Sequence, residues 1–121
     1  MNSVNLYGRI CNDLELSKAG KGKDAASYVR FQIAVADGVD KEGERKTQFI
    51  PCVAWNSTAE TLCDYMKKGN RVALEGRINI QSYETEDGDK RSSFQITVLR
   101  VHFVETKEES ESREKSPKRK K

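Results

Sequence analysis

The stretch from residue 47 to residue 76 constrains the fold more than any other part of the sequence. It reads as a strand with two apolar faces, then a short amphipathic helix, then the start of an alternating strand. The only tryptophan, Trp55, stands where the strand ends and the helix begins. A strand with two apolar faces is buried on both sides, or is buried on one side and used for binding or pairing on the other. The stretch therefore predicts a small β-rich domain with an aromatic side chain beside its helix.

Four further segments alternate between apolar and polar residues with the period of two that a half-buried strand shows. The predicted strands are 4–10, 28–36, 47–55, 71–83 and 92–104, and the intervening segments 11–26 and 37–46 predict loops. In the fourth strand, one face carries Val72, Leu74, Gly76, Ile78 and Ile80, which we expect to point into the core. The element order is β-β-β-α-β-β.

The last strand changes its parity along its length. Phe94, Ile96 and Val98 share one face, but the apolar set continues on the other face from Leu99. One extra residue near Val98 and Leu99, forming a β-bulge, would bend the strand in this way. The bulge and the glycines inside strands favour closure into an all-β, five-stranded OB-fold barrel with one helix between strands 3 and 4. An open α+β sheet is the alternative architecture.

Composition divides the chain into two parts. The whole sequence has 22 Lys and Arg against 19 Asp and Glu. Residues 105–121 hold seven of the basic and five of the acidic residues and no apolar residue. We therefore predict a domain at 1–104 and a disordered charged tail with a basic end at 105–121. The body is nearly neutral, so overall charge does not by itself indicate a nucleic-acid partner.

The three cysteines, at positions 11, 52 and 63, show no metal-binding spacing. No apolar run approaches the roughly 18 residues of a membrane span, and the N-terminus has no signal-peptide pattern. These observations predict a cytoplasmic protein with free thiols, no cofactor and no membrane association.

Five blocks of sequence together resemble the bacterial single-stranded DNA-binding protein family, over about residues 2–104. The blocks are Asn2-x-Val4-x-Leu6-x-Gly8-Arg9-Ile10 with Asp13; Phe49-Ile50-x-Cys52-Val53-x-Trp55; Ala59-Glu60 with Tyr65-x-x-Lys68-Gly69; Glu75-Gly76-Arg77-Ile78; and Tyr83-Glu84 before Gly88. The resemblance implies an OB-fold that binds single-stranded DNA without sequence preference in replication, recombination and repair. It also implies a homo-oligomer, a tetramer or a dimer, and no catalysis.

The resemblance also indicates which residues contact DNA. Base-stacking aromatic positions of the family fall on Phe49, Trp55 and Tyr83, which lie opposite the inferred core face. Basic residues on polar strand faces or on the long hairpin are candidates for phosphate contacts. These basic candidates are Arg9, Arg30, Arg71, Arg77 and Lys46.

The sequence departs from the family pattern at several positions and at its C-terminal end. Val39 stands where many members carry a further aromatic, and Asn79 and Gln81 replace basic residues after Arg77. The usual acidic C-terminal tip, which recruits replication and recombination proteins, is absent. We expect a specialised paralogue or a protein encoded by a phage or mobile element, and the sequence leaves both open.

Three other functions stay open at this point. A primosomal or strand-annealing accessory protein would use the same fold. A hydrolase or nuclease would need clustered carboxylates, whereas candidates such as Asp13, Glu15 and Asp37 lie in predicted loops and the acidic residues at 84–89 form a turn. A module that binds protein or sugar through the same face would be insensitive to salt.

Overall fold

The computed structural model describes residues 1–20, 22 and 25–104. The predicted tail at 105–121 lies outside the described residues. The elements are β1 (Val4–Ile10), β2 (Ser17–Ala19), β3 (Ala26–Val39), β4 (Arg45–Trp55), α1 (Asn56–Tyr65), β5 (Arg71–Glu84) and β6 (Lys90–Phe103). Strands thus dominate the described part of the chain, with a helix between β4 and β5 where the sequence predicts it.

The strands form one sheet in the order β1-β5-β6-β4-β3-β2, with a further pairing between β1 and β3. All neighbours are antiparallel except β4 and β6, which run parallel over residues 52–54 of β4. Residues Arg9 and Ile10 of β1 pair with Ala34 and Ile33 of β3. The hydrogen-bonded pairings therefore run from β1 through β5, β6, β4 and β3 back to β1.

Two strand glycines and one bulge let the strands approach and bend. A Cβ atom built at Gly8 would overlap the carbonyl oxygen of Ala34 on the neighbouring strand. The pairing of β5 with β6 shifts register between Glu75 and Gly76, whose partners are Arg100 and Val98. Leu99 is thus the extra residue of a β-bulge, which increases local twist and bends the strand. The bulge predicted near Val98 and Leu99 is confirmed.

The core lies on the inner face of the sheet and beneath α1. Its fully buried side chains include Ile10, Val29, Ile33, Leu62, Val72 and Leu74. The helix contributes Ala59 and Leu62, and Met66 follows directly after it, which agrees with the predicted apolar stripe. Among the described residues, no helix has the length and apolar character needed to span a membrane.

Two predicted loops contain strand residues, so both predictions are wrong over part of their length. The segment predicted as a loop at 11–26 contains the short strand β2, so the described residues form a sheet of six strands where five are predicted. Ser17 and Ala19 have no apolar alternation, and they are strand residues only because they pair with Tyr28 and Ala26 of β3. Half of the predicted loop at 37–46 is strand, because β3 continues to Val39 and β4 begins at Arg45.

The prediction that Ile78 and Ile80 point into the core is also wrong. Ile80 is 64% exposed and Ile78 is 41% exposed, whereas Val72 and Leu74 on the same face are buried. The outer halves of β5 and β6 pair only with each other beyond Ile78, and within the described residues no other strand pairs with the hairpin there, which leaves this face open. Alternation identifies a face, but packing decides whether that face is covered.

Candidate nucleic-acid interface

Phe49 and Trp55 lie on the outward face of β4. The inward positions Cys52 and Ala54 belong to the core, and side chains alternate along a strand, so the odd-numbered positions point away from the core. Phe49 is 60% exposed and Trp55 is 38% exposed. Their positions are six residues apart, about 20 Å along an extended strand. Phe49 and Trp55 therefore have different neighbouring residues.

Trp55 is part of an aromatic cluster that the sequence prediction missed. Tyr28 of β3 stands directly opposite Trp55, and the two ring centroids are 5.2 Å apart with planes tilted by 40°. The guanidinium carbon of Arg30 lies over the Tyr28 ring, 5.4 Å from its centroid. Tyr28 has the same parity as Arg30 in the sequence, but its contact with Trp55 follows from the β3–β4 register, which the sequence alone does not give.

One row of residues crosses the sheet beside this cluster. Cross-strand partners share a face, and the partners here connect β3, β4, β6 and β5. In order, the row is Arg30, Val53, Thr97 and Arg77. Val53 is only 1% exposed although it lies outside the core cluster, so the row has a closely packed apolar centre with an exposed arginine at each end.

A second row brings Phe49 together with the other two predicted arginines. The row runs from Phe49 through Ala34 of β3 and Arg9 of β1 to Arg71 of β5. Ala34 carries only a methyl group between the aromatic and the first arginine. The Nη1 atom of Arg9 donates a hydrogen bond to the carbonyl oxygen of Gly69 at 2.9 Å, which fixes the direction of this side chain.

The remaining two predicted residues lie apart from these rows. Tyr83 is opposite Arg91 near the end of the β5–β6 hairpin and is half exposed. It is six residues, about 20 Å, from Arg77 along β5. Lys46 lies near the end of the β3–β4 hairpin, and strand alternation directs it to the opposite side of β4 from Phe49. The structure therefore places six of the eight predicted residues in two groups, one around Trp55 and one around Phe49, and it separates Tyr83 and Lys46 from both.

The candidate interface has both stacking and cationic groups. In the part of the chain that the structure describes, no three His, Cys, Asp or Glu side chains come together as a metal site. The outward face offers planar rings that can stack on flat ligands and arginine side chains that can pair with anions. This arrangement can bind an anionic chain that carries aromatic groups.

Known proteins that are similar in sequence to this chain are proteins that bind single-stranded DNA. A model of the single-strand binding protein family matches residues 1–104. "Single-stranded DNA-binding protein 3" of Clostridium acetobutylicum is 40% identical over 106 residues, 87% of this chain and 72% of the relative. Similar proteins from Fusobacterium nucleatum and Onion yellows phytoplasma, both named "Single-stranded DNA-binding protein", are 37% and 33% identical. The Fusobacterium match covers 96% of this chain and 75% of the relative. The phytoplasma match covers 88% of this chain and 97% of the relative.

Proposed function

The chain belongs to the single-strand binding protein family, and from this premise we propose that it binds single-stranded DNA without sequence preference. Bases stack on exposed aromatic side chains, and phosphates pair with arginines. Stacking tolerates any sequence because every base has a π-face, and it contributes about 1–3 kcal/mol per base, a magnitude typical of single-strand binding domains.

The observation that carries this proposal is the outward face of β3 and β4. Trp55 and Phe49 lie on it, with arginine-containing rows beside each of them. Arg30 and Arg77 are the two end residues of the row next to Trp55. Arg9 and Arg71 belong to the row that contains Phe49. We assign base stacking to Phe49, Trp55 and Tyr83. We assign phosphate contacts to these four arginines and to Lys46.

We propose that the sheet is a closed OB-type barrel. The pairing of β1 with both β5 and β3 supports closure, because it leaves a cycle of five strands with β2 attached outside it. The bulge at Leu99 and the close approaches at Gly8 and Gly76 supply the bends that closure requires. In such a barrel, a binding face curves around the surface, so a single strand would follow it by wrapping.

The biological role that follows is protection of single strands during DNA replication, recombination and repair, without catalysis. We place this activity in the cytoplasm, where bacterial DNA is located. We also propose a homo-oligomer, a tetramer or a dimer. Tyr7 of β1 is half exposed on an outward face next to Ala73, and a second subunit would cover it.

Titration of the protein with oligo(dT) while recording Trp55 fluorescence tests the proposal without labels, because there is one tryptophan. We expect saturable quenching by single strands, weak quenching by duplex DNA, and weaker binding at high salt. A protein that neither changes its fluorescence nor retards an oligonucleotide in a gel would refute the assignment.

A further inference from the structure

We propose that Tyr28 is a positioning residue for base stacking: its ring holds the Trp55 indole, and the same ring holds the Arg30 guanidinium. The inference rests on the proposed function, since it names the residue that prepares Trp55 for a base. It adds a residue of β3 to a site whose predicted aromatic residues lie on β4 and β5.

The geometry is a chain of two contacts with Tyr28 in the middle. The rings of Tyr28 and Trp55 are close enough, and tilted enough, for a favourable aromatic pair. The Arg30 guanidinium is within the range of a cation–π interaction with Tyr28. The three residues come from two strands in fixed register, with Tyr28 opposite Trp55 and Arg30 two residues farther along β3. All three side chains therefore point to the same side of the sheet.

Trp55 needs such support because of its place in the chain. It is the last residue of β4, and the next residue, Asn56, has a positive φ of 52° where the helix begins. A side chain at a strand end lacks a following strand neighbour to restrict its rotamer. The Tyr28 ring supplies a rigid surface on one side, while more than a third of Trp55 stays exposed for a ligand. A ring that is already oriented loses less conformational entropy when a base stacks on it.

The backbone beside Trp55 is held through the same two strands. The side-chain Oδ1 of Asn56 accepts a hydrogen bond of 3.2 Å from the backbone N–H of Ser27, the residue before Tyr28. The backbone of β3 and the start of α1 are thus joined next to the aromatic pair. Tyr28 therefore stands on a fixed backbone, which is what a residue that orients another side chain requires.

The first test uses the free protein. Tyr28→Leu removes the ring, and Tyr65→Leu is the matched control because Tyr65 forms a comparable tilted pair with Phe103, 6.0 Å between centroids. We expect Tyr28→Leu to raise the acrylamide quenching constant of Trp55 and to lower its fluorescence anisotropy, whereas Tyr65→Leu leaves both unchanged. Unaltered Trp55 fluorescence in folded Tyr28→Leu would overturn the positioning role.

The second test measures binding to a labelled oligo(dT). We expect Tyr28→Leu to weaken binding roughly three- to tenfold, the equivalent of one aromatic pair, with Tyr65→Leu unchanged. If the unmodified protein binds and both variants bind equally well, only this inference fails. If the unmodified protein does not bind, the proposed function fails, and the inference fails with it.

A third variant separates the planar contact of Arg30 from its charge. Arg30→Lys keeps the positive charge but loses the flat guanidinium that lies over the ring. We expect weaker binding with the same slope of log Kd against log salt concentration, because the number of neutralised phosphates is unchanged. Binding equal to that of the unmodified protein would show that the Arg30–Tyr28 contact does not contribute.

Discussion

Gly76 of β5 lies against the carbonyl oxygen of Thr97 on β6 so closely that a Cβ atom at Gly76 would overlap it. The contact is at the register shift, where β6 inserts Leu99 as its extra residue. Thr97 also pairs with Val53 of β4, so the close approach lies at the junction of β5, β6 and β4. Because Gly76 has only a hydrogen atom where other residues have a side chain, β6 can bend toward β4.

Gly76→Ala should therefore destabilise the protein. The methyl group must displace backbone atoms of β6, and overpacking of this kind costs about 1–3 kcal/mol. Urea unfolding followed by circular dichroism measures the loss. Asn79→Ala, an exposed position on the same strand, is the control and should change stability by less than about 0.5 kcal/mol. Equal stability of the two variants would contradict the close approach.

Phe49→Leu should weaken binding of single-stranded DNA without unfolding the domain. The side chain is mostly exposed, so the substitution removes a stacking surface rather than core packing. We expect a loss of about 1–3 kcal/mol in binding free energy. Fluorescence anisotropy of a labelled oligo(dT) measures it. Phe103→Leu replaces another half-exposed phenylalanine, outside the proposed site, and should bind normally. Equal affinities would remove Phe49 from the site.

Five of the strands and the helix could be predicted because they depend on local alternation and on the spacing of apolar residues. The bulge at Leu99 was also predictable, since one extra residue reverses the parity of the apolar set. In contrast, β2 has no pattern of its own and exists only through its pairing with β3. Exposure of Ile80 was unpredictable for a similar reason, because burial depends on what lies opposite a face.

Some features of the candidate site could also be predicted from the sequence, and others could not. Exposed positions of Phe49 and Trp55 follow from the parity of one strand. The neighbours of Trp55 depend on the register between β3 and β4, so Tyr28 is visible only in the structure. Lys46 was chosen for its charge in a predicted loop, and the extended strand β4 places it on the side away from Phe49. Its role in binding remains a prediction.

Arg77→Gln should reduce the salt dependence of binding. Arg77 is exposed at the end of the row that includes Val53, and we propose that it neutralises one phosphate. Loss of one such contact should lower the magnitude of the slope of log K against log salt concentration by about 0.7 for a single strand. Lys68→Gln, at an exposed position after α1, is the charge-matched control. The same slope for both variants would argue against a phosphate contact at Arg77.

Leu74→Ala and Ile80→Ala should differ strongly in stability although both positions are on the same face of β5. Leu74 is fully buried, so its truncation should cost about 2–5 kcal/mol. Ile80 is exposed on the hairpin, and its truncation should cost less than about 1 kcal/mol. Thermal unfolding at several protein concentrations measures both. A large and concentration-dependent loss for Ile80→Ala would show that another subunit covers the hairpin.

Cys52 should make stability fall at alkaline pH. Burial raises the pKa of its thiol to about 12, from an ordinary value of 9.0. Below pH 9 the thiol is protonated in both the folded and the unfolded protein. Above pH 9 the unfolded chain loses this proton and the folded protein keeps it, so unfolding becomes easier until the folded thiol also ionises near pH 12.

The expected contribution of Cys52 is a loss of about 1 kcal/mol in the free energy of unfolding for each pH unit above 9. Urea unfolding between pH 7 and pH 10.5 measures it. Cys52→Ala should have a flatter pH profile in the alkaline range, and Cys11→Ala, which removes a thiol that is only partly buried, is the matched control variant. Comparing profiles cancels every contribution that the variants share. Parallel profiles for Cys52→Ala and the unmodified protein would mean that the Cys52 thiol ionises equally well in both states.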